Sequence, residues 1–465
     1  MDDRMLEMFH MDVEIHNNAI SHALDKGYTQ EEALLFYQPE FWDIMTEKIR
    51  KGEYHTSPTT ECYLDKKTGN PLTYIQAYAR NFVEVRKIYV MSKVDRVVWN
   101  ALYQVYYKFF SHLIHERCCS YKKGESTRKV VRRVSSNFVK MEQYLGSKED
   151  VVKFFDSVAL PVIDETMNTL EAEEPSCVHY VVREFYHDNR IIVNDEEIEK
   201  YCSLKQGCAM SAFFADLVIR DIDEEMSKLP VTYYRYSDDC IIVGKKTDAS
   251  KARFRMEQML KSKGLKFNPK KSEPINERRW VTFLGFKIRK ETITVSKEVL
   301  DNITHKIKEE TIFKCKKLHR ALTENELRRA IDNIQYWLFV GTKDTEAGMG
   351  AYLFGAINEM HDLGLIDTFA KDCVRAAYTN KCDIYGLVAS YGEHGVMAGG
   401  KDKKGVYHPG RNVGMNKLKT EGLCERLGWY SLIHMYKKFH QGTDVYKAEV
   451  LRMRNGECFE GEKND

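Results

Sequence analysis

Two adjacent carboxylates on a tight bend constrain this chain more than any other feature. Tyr236-Ser237-Asp238-Asp239 lies between Val231-Thr232-Tyr233-Tyr234-Arg235 and Cys240-Ile241-Ile242-Val243, with Gly244 closing the second run. Both runs are rich in β-branched and aromatic residues and read as strands. The two acids therefore sit at the tip of a hairpin, where a fixed turn holds like charges together at a cost in stability. A bound divalent cation offsets that cost, because hard carboxylate oxygens suit Mg²⁺. The plainer reading is a solvated Asp-Asp turn, since Asp is a common turn former. The rest of the chain decides between the two.

With 465 residues, 43% of them hydrophobic and 30% charged, the chain has the length for two or three domains and an ordinary globular composition. The N-terminal MDDRMLEMFHMDVEIH is acidic and has no basic region followed by an apolar stretch, so no signal peptide is expected. No apolar run is long enough to span a bilayer, so no membrane contact is expected. The 12 cysteines are scattered without a C-x-x-C pair, which argues against a zinc ribbon or a secreted disulfide scaffold and points to a cytoplasmic protein.

Residues 1–50 read as two helices, with Thr29 and Glu32 as a capping box for the second. Asp65-Lys66-Lys67-Thr68-Gly69-Asn70-Pro71 reads as a hairpin tip. Arg86 to Met91 reads as a strand, and Lys93 to about Glu116 as a helix with an apolar face. Residues 121–140 carry seven Lys or Arg against one acid: Lys122 and Lys123 fall in a loop, Arg128 and Arg132 on a helix. That imbalance favours an anionic partner, against the ordinary alternative of a solvated basic face. Asp150-Val151-Val152-Lys153-Phe154-Phe155-Asp156-Ser157-Val158 reads as a short strand beginning at an acid. Ser203-Leu204-Lys205-Gln206-Gly207-Cys208-Ala209-Met210-Ser211 is a loop whose small residues admit a ligand close to the backbone. It opens an apolar helix from Phe213 to about Met226.

In this order, the segments resemble the palm of a reverse transcriptase. An Asp segment ending in Phe-Phe-Asp-Ser is followed by Gln-Gly-x-x-x-Ser opening a helix, then the Tyr-x-Asp-Asp hairpin. Gly264-Leu265-Lys266-Phe267-Asn268-Pro269-Lys270-Lys271 and Phe283-Leu284-Gly285-Phe286-Lys287-Ile288 come next. Upstream, Arg86-Lys87-Ile88-Tyr89-Val90 with Asp95-Arg96-Val97-Val98 is similar to the fingers of group II intron-type enzymes. Ser120-Tyr121-Lys122-Lys123-Gly124 is similar to a shortened form of the next fingers motif. The resemblance covers about residues 80–300, and it rests on the order and spacing of these motifs rather than on any one of them.

The resemblance implies an α+β right-hand polymerase: fingers, a palm with an antiparallel sheet, a helical thumb and an α-rich C-terminal extension. It divides the chain into an N-terminal helical extension (1–80), fingers and palm (81–295), thumb (296–345) and C-terminal domain (346–465). Phosphoryl transfer uses two cations about 3.5–4 Å apart. Asp150 and Asp238 are the expected ligands of two Mg²⁺ ions, for which Mn²⁺ is an admissible substitute. Asp239 is a weaker or structural third acid, and the Val151 main-chain oxygen completes one site. Phe155 matches the aromatic that excludes a ribose 2′-hydroxyl, which implies dNTP substrates; core packing is the alternative for this ring. Gln206 and Gly207 would flank nucleotide and template. Lys271 matches the position that neutralises or protonates pyrophosphate, and Arg86, Lys87 and Lys122 are the expected triphosphate ligands. Lys123, Arg128, Arg132, Lys245 and Lys246 are candidate nucleic-acid contacts, the last two opening a strip of ten Lys or Arg and two acids over residues 245–271. Lys401, Lys403 and Lys404 join them from a basic loop interleaved with Tyr407 and His408, a composition that suits single strands.

Departures narrow the class. Ala212 follows Ser211 where intron-encoded enzymes and retrons carry Pro, and neither a retron Val-Thr-Gly element nor an endonuclease tail is present. A free-standing prokaryotic enzyme of the unknown-group or abortive-infection type remains, and many of these are antiphage defence proteins. The expected activity is RNA-directed extension of a 3′-hydroxyl with dNTPs, giving a DNA product on a structured noncoding RNA template. Template-independent or protein-primed synthesis and a non-catalytic RNA-binding scaffold stand as alternatives, and a homo-oligomer is left open.

Overall fold

The computed structural model describes residues 3–66, 69–340, 348–380, 382, 400–401, 407–408 and 422–455. They fall into two compact units. One combines Met1–Ser126 with Met141–Glu277, the other Thr127–Lys140 with Arg278–Asp465. These cuts differ from the expected ones after residues 80 and 295.

The first unit is built on two sheets. Its strands are β1 (Thr59–Asp65), β2 (Pro71–Leu72), β3 (Val85–Val90), β4 (Leu145–Asp150), β5 (Arg190–Val193), β6 (Glu196–Glu199), β7 (Val231–Tyr236), β8 (Asp239–Gly244) and β9 (Glu273–Asn276). In one sheet β1 pairs antiparallel with β3 from Thr60↔Val90 to Asp65↔Val85, and parallel with β5. The β5–β6 turn, Asn194-Asp195, has φ +51° and +66°, the left-handed pair that a tight hairpin requires. The other sheet has the order β7-β8-β4-β9, and every neighbouring pair is antiparallel. Gly146 in β4 is required there: a Cβ would stand 2.0 Å from the Ile242 carbonyl oxygen.

One apolar core joins this unit from Met5 to Phe267, including Trp42, Val98, Leu102, Phe185, Phe213 and Ile242. Residues 1–80 are therefore not a separate helical extension. Their helices share that core, and β1 completes the sheet that holds β3. The expected two N-terminal helices are four: Arg4–Met11, Val13–Asp25, Gln30–Ala33 and Pro39–Lys51. The Thr29–Glu32 capping box is present, on the shortest of them. The Lys93–Phe110 helix starts at Ser92, whose side chain accepts from the Asp95 N–H, and it ends before the expected Glu116. The apolar helix after the Gly207 loop is broken at Val218 and Ile219 into Ala209–Leu217 and Arg220–Ser227. Both break residues are buried and β-branched, and such side chains are stiff against the preceding helical turn.

The larger correction concerns Asp150. It ends a strand instead of starting one. β4 runs through polar Leu145-Gly146-Ser147-Lys148-Glu149, which has no alternating apolar pattern to announce it. The apolar Val151–Val158 stretch is a turn followed by the short helix Phe154–Ser157, entered through Lys153 at φ +44°.

The second unit contains the antiparallel sheet β10 (Val281–Phe283), β11 (Phe286–Arg289) and β12 (Thr292–Val295). The Thr127–Val139 helix belongs to it, with the Ser135 hydroxyl donating to the Lys290 carbonyl at 2.7 Å. Helices then dominate, among them Lys297–Lys308, Glu324–Gln335, His361–Thr379, Leu432–Gln441 and Thr443–Arg454. The expected Thr323–Glu326 capping box is formed. Leu338 and Phe339 are core residues as expected, whereas Trp337 is only half-buried. A last ribbon pairs β13 (Gly400–Lys401) with β14 (Tyr407–His408), while Lys403, Lys404 and the residues beyond 455 lie outside the described residues. No described helix is long and apolar enough to cross a membrane.

Candidate active site

The expected acids are brought together at one end of the β7-β8-β4-β9 sheet. Asp150 closes β4 directly opposite Asp239, which opens β8, and Asp238 lies in the two-residue turn between them and Tyr236. Directly opposed residues on antiparallel strands have Cα atoms only about 4.5–5.5 Å apart. The Val151 N–H donates to the Asp238 carbonyl at 3.1 Å, which fixes the end of β4 against the turn.

The Gly264–Lys271 segment completes the site. The Asn268 N–H donates to the Asp150 carbonyl at 2.7 Å, and its side-chain amide donates to Asp150 Oδ1 at 3.1 Å. Lys271 Nζ donates to Asp150 Oδ2 at 2.7 Å. Asp239 faces Lys148 at 3.8 Å. Burial, then the charges of Asp150 and Asp239, push the Asp238 carboxyl up to about 6, although Lys271 pulls it down. Burial also raises Asp239, with Asp150 and Glu273 adding to it and Lys148 and Lys271 opposing. Partial burial works against the Lys271 ammonium, but the three carboxylates outweigh it and raise its pKa.

These residues fit divalent cations. Negative charge at Asp238 is under-compensated, and Asp150 already holds a cationic group on one oxygen. Among the described residues, no three His, Cys, Asp or Glu side chains converge as a ready metal cage. Mg²⁺ is commonly held by one or two carboxylates together with substrate phosphates.

Beneath the turn lies a charge network that the sequence reading missed. Arg235 is 1% exposed. It donates to both Asp223 oxygens at 2.8 and 2.5 Å, to Asp216 Oδ1 at 3.3 Å, and to the Ser237 carbonyl at 3.1 Å. The Ser120 hydroxyl donates to Asp216 Oδ1 at 2.5 Å and accepts from the Ser237 N–H at 2.9 Å. Both backbone groups of Ser237 are thus held, which secures a non-glycine residue at φ +55°. Burial pushes Asp216 up to about 6 despite Arg235 beside it. An Arg inside a strand otherwise rich in aromatics was the one available sign.

The remaining expected residues divide. Phe154 is core, but Phe155 is only partly buried; its carbonyl accepts from the Leu204 N–H at 3.0 Å, which puts it beside the Gln206 loop. Gln206 accepts from the Tyr89 N–H at 2.7 Å, and Gly207 has φ +120°, where a Cβ would stand 2.9 Å from the Tyr89 carbonyl oxygen. Alternation along β3 separates Arg86 from Lys87. Arg86 acts on Tyr121, which also senses Asp238, whereas Lys87 is paired with buried Glu61 at 3.4 Å on the other face. Lys122 donates to the His115 carbonyl at 3.4 Å, and Lys123 is exposed.

Four of the ten basic residues over 245–271 are paired with acids. Arg253 pairs with Glu149 and Glu257, Arg255 with Glu225, Lys263 with Asp221 and Lys271 with Asp150. Lys245 and Lys246 are exposed where the Lys246–Ser262 helix begins, past the end of β8 away from the acids. In the second unit Arg132 is exposed, while Arg128 lies against Gly355.

Residues 81–288 match the family described as reverse transcriptase (RNA-dependent DNA polymerase). These residues thus form a reverse transcriptase domain, the domain type of RNA-directed DNA polymerases, which are nucleotidyltransferases. Among solved structures, apo telomerase from Candida tropicalis, truncated from its C-terminal domain, matches at 15% identity with a TM-score of 0.38. The match covers 56% of this chain and 61% of that one, so the chain spans about six tenths of that structure's length. No curated protein matches the sequence.

Proposed function

We propose that this reverse transcriptase domain extends a primer 3′-hydroxyl with dNTPs through two divalent cations, on a structured noncoding RNA template, in antiphage defence. The observation that carries the catalytic part is the pairing of Asp150 with Asp239 across β4 and β8, with Asp238 beside them in the turn between β7 and β8. The defence role and the dedicated template rest on the likeness to free-standing prokaryotic enzymes. The fingers, palm and thumb divisions rest on the likeness to right-hand polymerases.

Asp150 and Asp238 would hold the cations, with the Val151 carbonyl as a further oxygen. When bound, the cations neutralise charge developing at the transferred phosphate. Arg86 binds the triphosphate from the cleft side of β3. Phe155, beside the Gln206-Gly207 loop, lies against the sugar and leaves no room for a 2′-hydroxyl. Lys271 releases Asp150 as substrate binds and gives its proton to the leaving pyrophosphate.

The test is to recover nucleic acid bound to the protein in cells and sequence it, for wild type and for the double variant Asp238→Ala, Asp239→Ala. One defined RNA in both samples, with complementary DNA only in the wild type, is the expected result. DNA without a complementary RNA would replace this reading with untemplated or protein-primed synthesis. Mixed RNA with no DNA would leave only a binding scaffold.

A further inference from the structure

A cavity of about 470 Å³ lies in the first unit, where the Val13–Asp25 helix, the Lys93–Phe110 helix and the loop at Tyr121–Lys123 meet. None of Asp150, Asp238, Asp239, Phe155, Gln206 and Lys271 lines it. Its volume falls within the range of small-molecule sites, which are apolar and aromatic with a few placed polar groups.

Its chemistry is specific. Tyr103, Tyr107 and Tyr121 supply aromatic faces, and Lys108, Lys122 and Lys123 supply positive charge. The rings of Tyr103 and Tyr107 stand 6.0 Å apart at 52°, one helical turn from each other. Tyr107 Oη accepts from the Lys123 N–H at 2.7 Å, so its own proton remains to be donated. Gln104 is fixed between the helices: its amide donates to the Ile15 carbonyl and its oxygen accepts from Asn18, both at 3.2 Å. Lys108 is held by Asp12 at 2.6 Å, which leaves the loop lysines, Lys122 and Lys123, as the cations at one end of the cavity. Burial pushes the Tyr103 phenol up to about 12, so this ring stays neutral.

Aromatic faces beside clustered lysines recognise a planar base carrying an anionic group. We infer that this cavity binds a nucleoside phosphate outside the catalytic centre, its base against Tyr103 and Tyr107 and its phosphate on Lys122 and Lys123. Tyr121 connects the two places. It lines the cavity, and its ring stands 6.2 Å from that of Tyr236 in the strand that leads into the Ser237-Asp238 turn. The ligand is either a free nucleotide or the terminal nucleotide of a single strand.

The experiment uses the full chain stripped of nucleic acid, in EDTA, so that metal-dependent binding at the acids is silent. The probes are N-methylanthraniloyl-ATP for titration and 8-azido-ATP for photo-crosslinking with peptide mapping. Saturable binding is expected, with crosslinks in the peptide spanning residues 93–110. Tyr103→Leu and Asn18→Trp, the second at an exposed position that fills the cavity without disturbing the core, are each expected to weaken binding at least tenfold. Competition by unlabelled ATP alone assigns a free nucleotide, and competition by a 5′-phosphorylated oligonucleotide assigns a strand end. No saturable binding, crosslinks confined to peptides carrying the catalytic acids, or both variants binding as the parent does would overturn the proposal.

Discussion

Lys271 places its Nζ 2.7 Å from Asp150 Oδ2, so this carboxylate carries a protein cation on one oxygen. Asn268, three residues earlier, occupies the other oxygen at 3.1 Å. A single turn therefore closes over Asp150 and balances part of the charge of three acids. On the proposed mechanism, metal binding at Asp150 would require Lys271 to let go, and letting go would place a protonated amine beside the reacting phosphates.

Lys271→Met tests both halves of that statement. Removing the ammonium leaves Asp150 open, so the Mg²⁺ concentration for half-maximal rate falls. Losing the proton donor slows single-turnover incorporation by about 10²-fold, the lower end for general acid catalysis. Rapid-quench incorporation across a Mg²⁺ titration measures the two together, and an unchanged rate with an unchanged Mg²⁺ requirement excludes both roles.

The Asp238 carboxyl gives a pH signature. Its folded pKa is raised from 3.8 to about 6 by burial and by Asp150 and Asp239. An acid with a raised folded pKa binds its proton more tightly when folded. Its stabilising contribution is present at low pH and is lost as pH rises through the folded value. In EDTA, Asp238→Asn escapes this loss. Its Tm advantage over wild type opens between pH 3.8 and about 6 and stays level above. Melting curves from pH 4 to 8 check this, and an advantage that is flat or shrinks with rising pH contradicts it.

Arg235 holds two buried carboxylates and the Ser237 carbonyl at once. Arg235→Leu strands Asp216 and Asp223 without a counter-charge and is expected to cost about 3–5 kcal/mol, as breaking a buried ion pair does. Adding Asp223→Leu recovers part of the loss. Urea denaturation of the single and double variants measures this, and a double variant less stable than the single one rules out stranded charge as the cause.

Phe155 is the half-buried member of the Phe154-Phe155 pair, whose rings meet edge-on at 5.9 Å. Phe155→Ala is expected to raise rNTP relative to dNTP incorporation about 10- to 200-fold, the range one group is worth in a shaped pocket. Paired single-nucleotide kinetics read the ratio. Unchanged sugar selectivity with lowered stability would assign Phe155 to the core.

The sequence exposed the site more fully than the fold around it. Asp238 and Asp239 were legible because a turn between two β-rich runs has a local signature, and the Gly207 loop because small residues before a helix stand out; the structure adds that Gly207 has φ +120°. The strand ending at Asp150 was not legible: its residues are polar, and it is a strand because β8 and β9 flank it, which is a long-range fact. The same holds for the contribution of β1 to the β3 sheet, and for the Arg235 network, which joins the side chains of Ser120, Asp216, Asp223 and Arg235 to the Ser237 backbone. Charge counts did not show that Lys87 faces Glu61, or that Arg253, Arg255 and Lys263 face acids, because counting residues does not reveal the acids that fold against them.

The most direct measurement is primer extension on a defined RNA template with dNTPs and Mg²⁺, comparing wild type with Asp238→Ala. The account predicts templated DNA from the wild type, none from the variant, and equal RNA binding by both. Equal synthesis by the two proteins would contradict it.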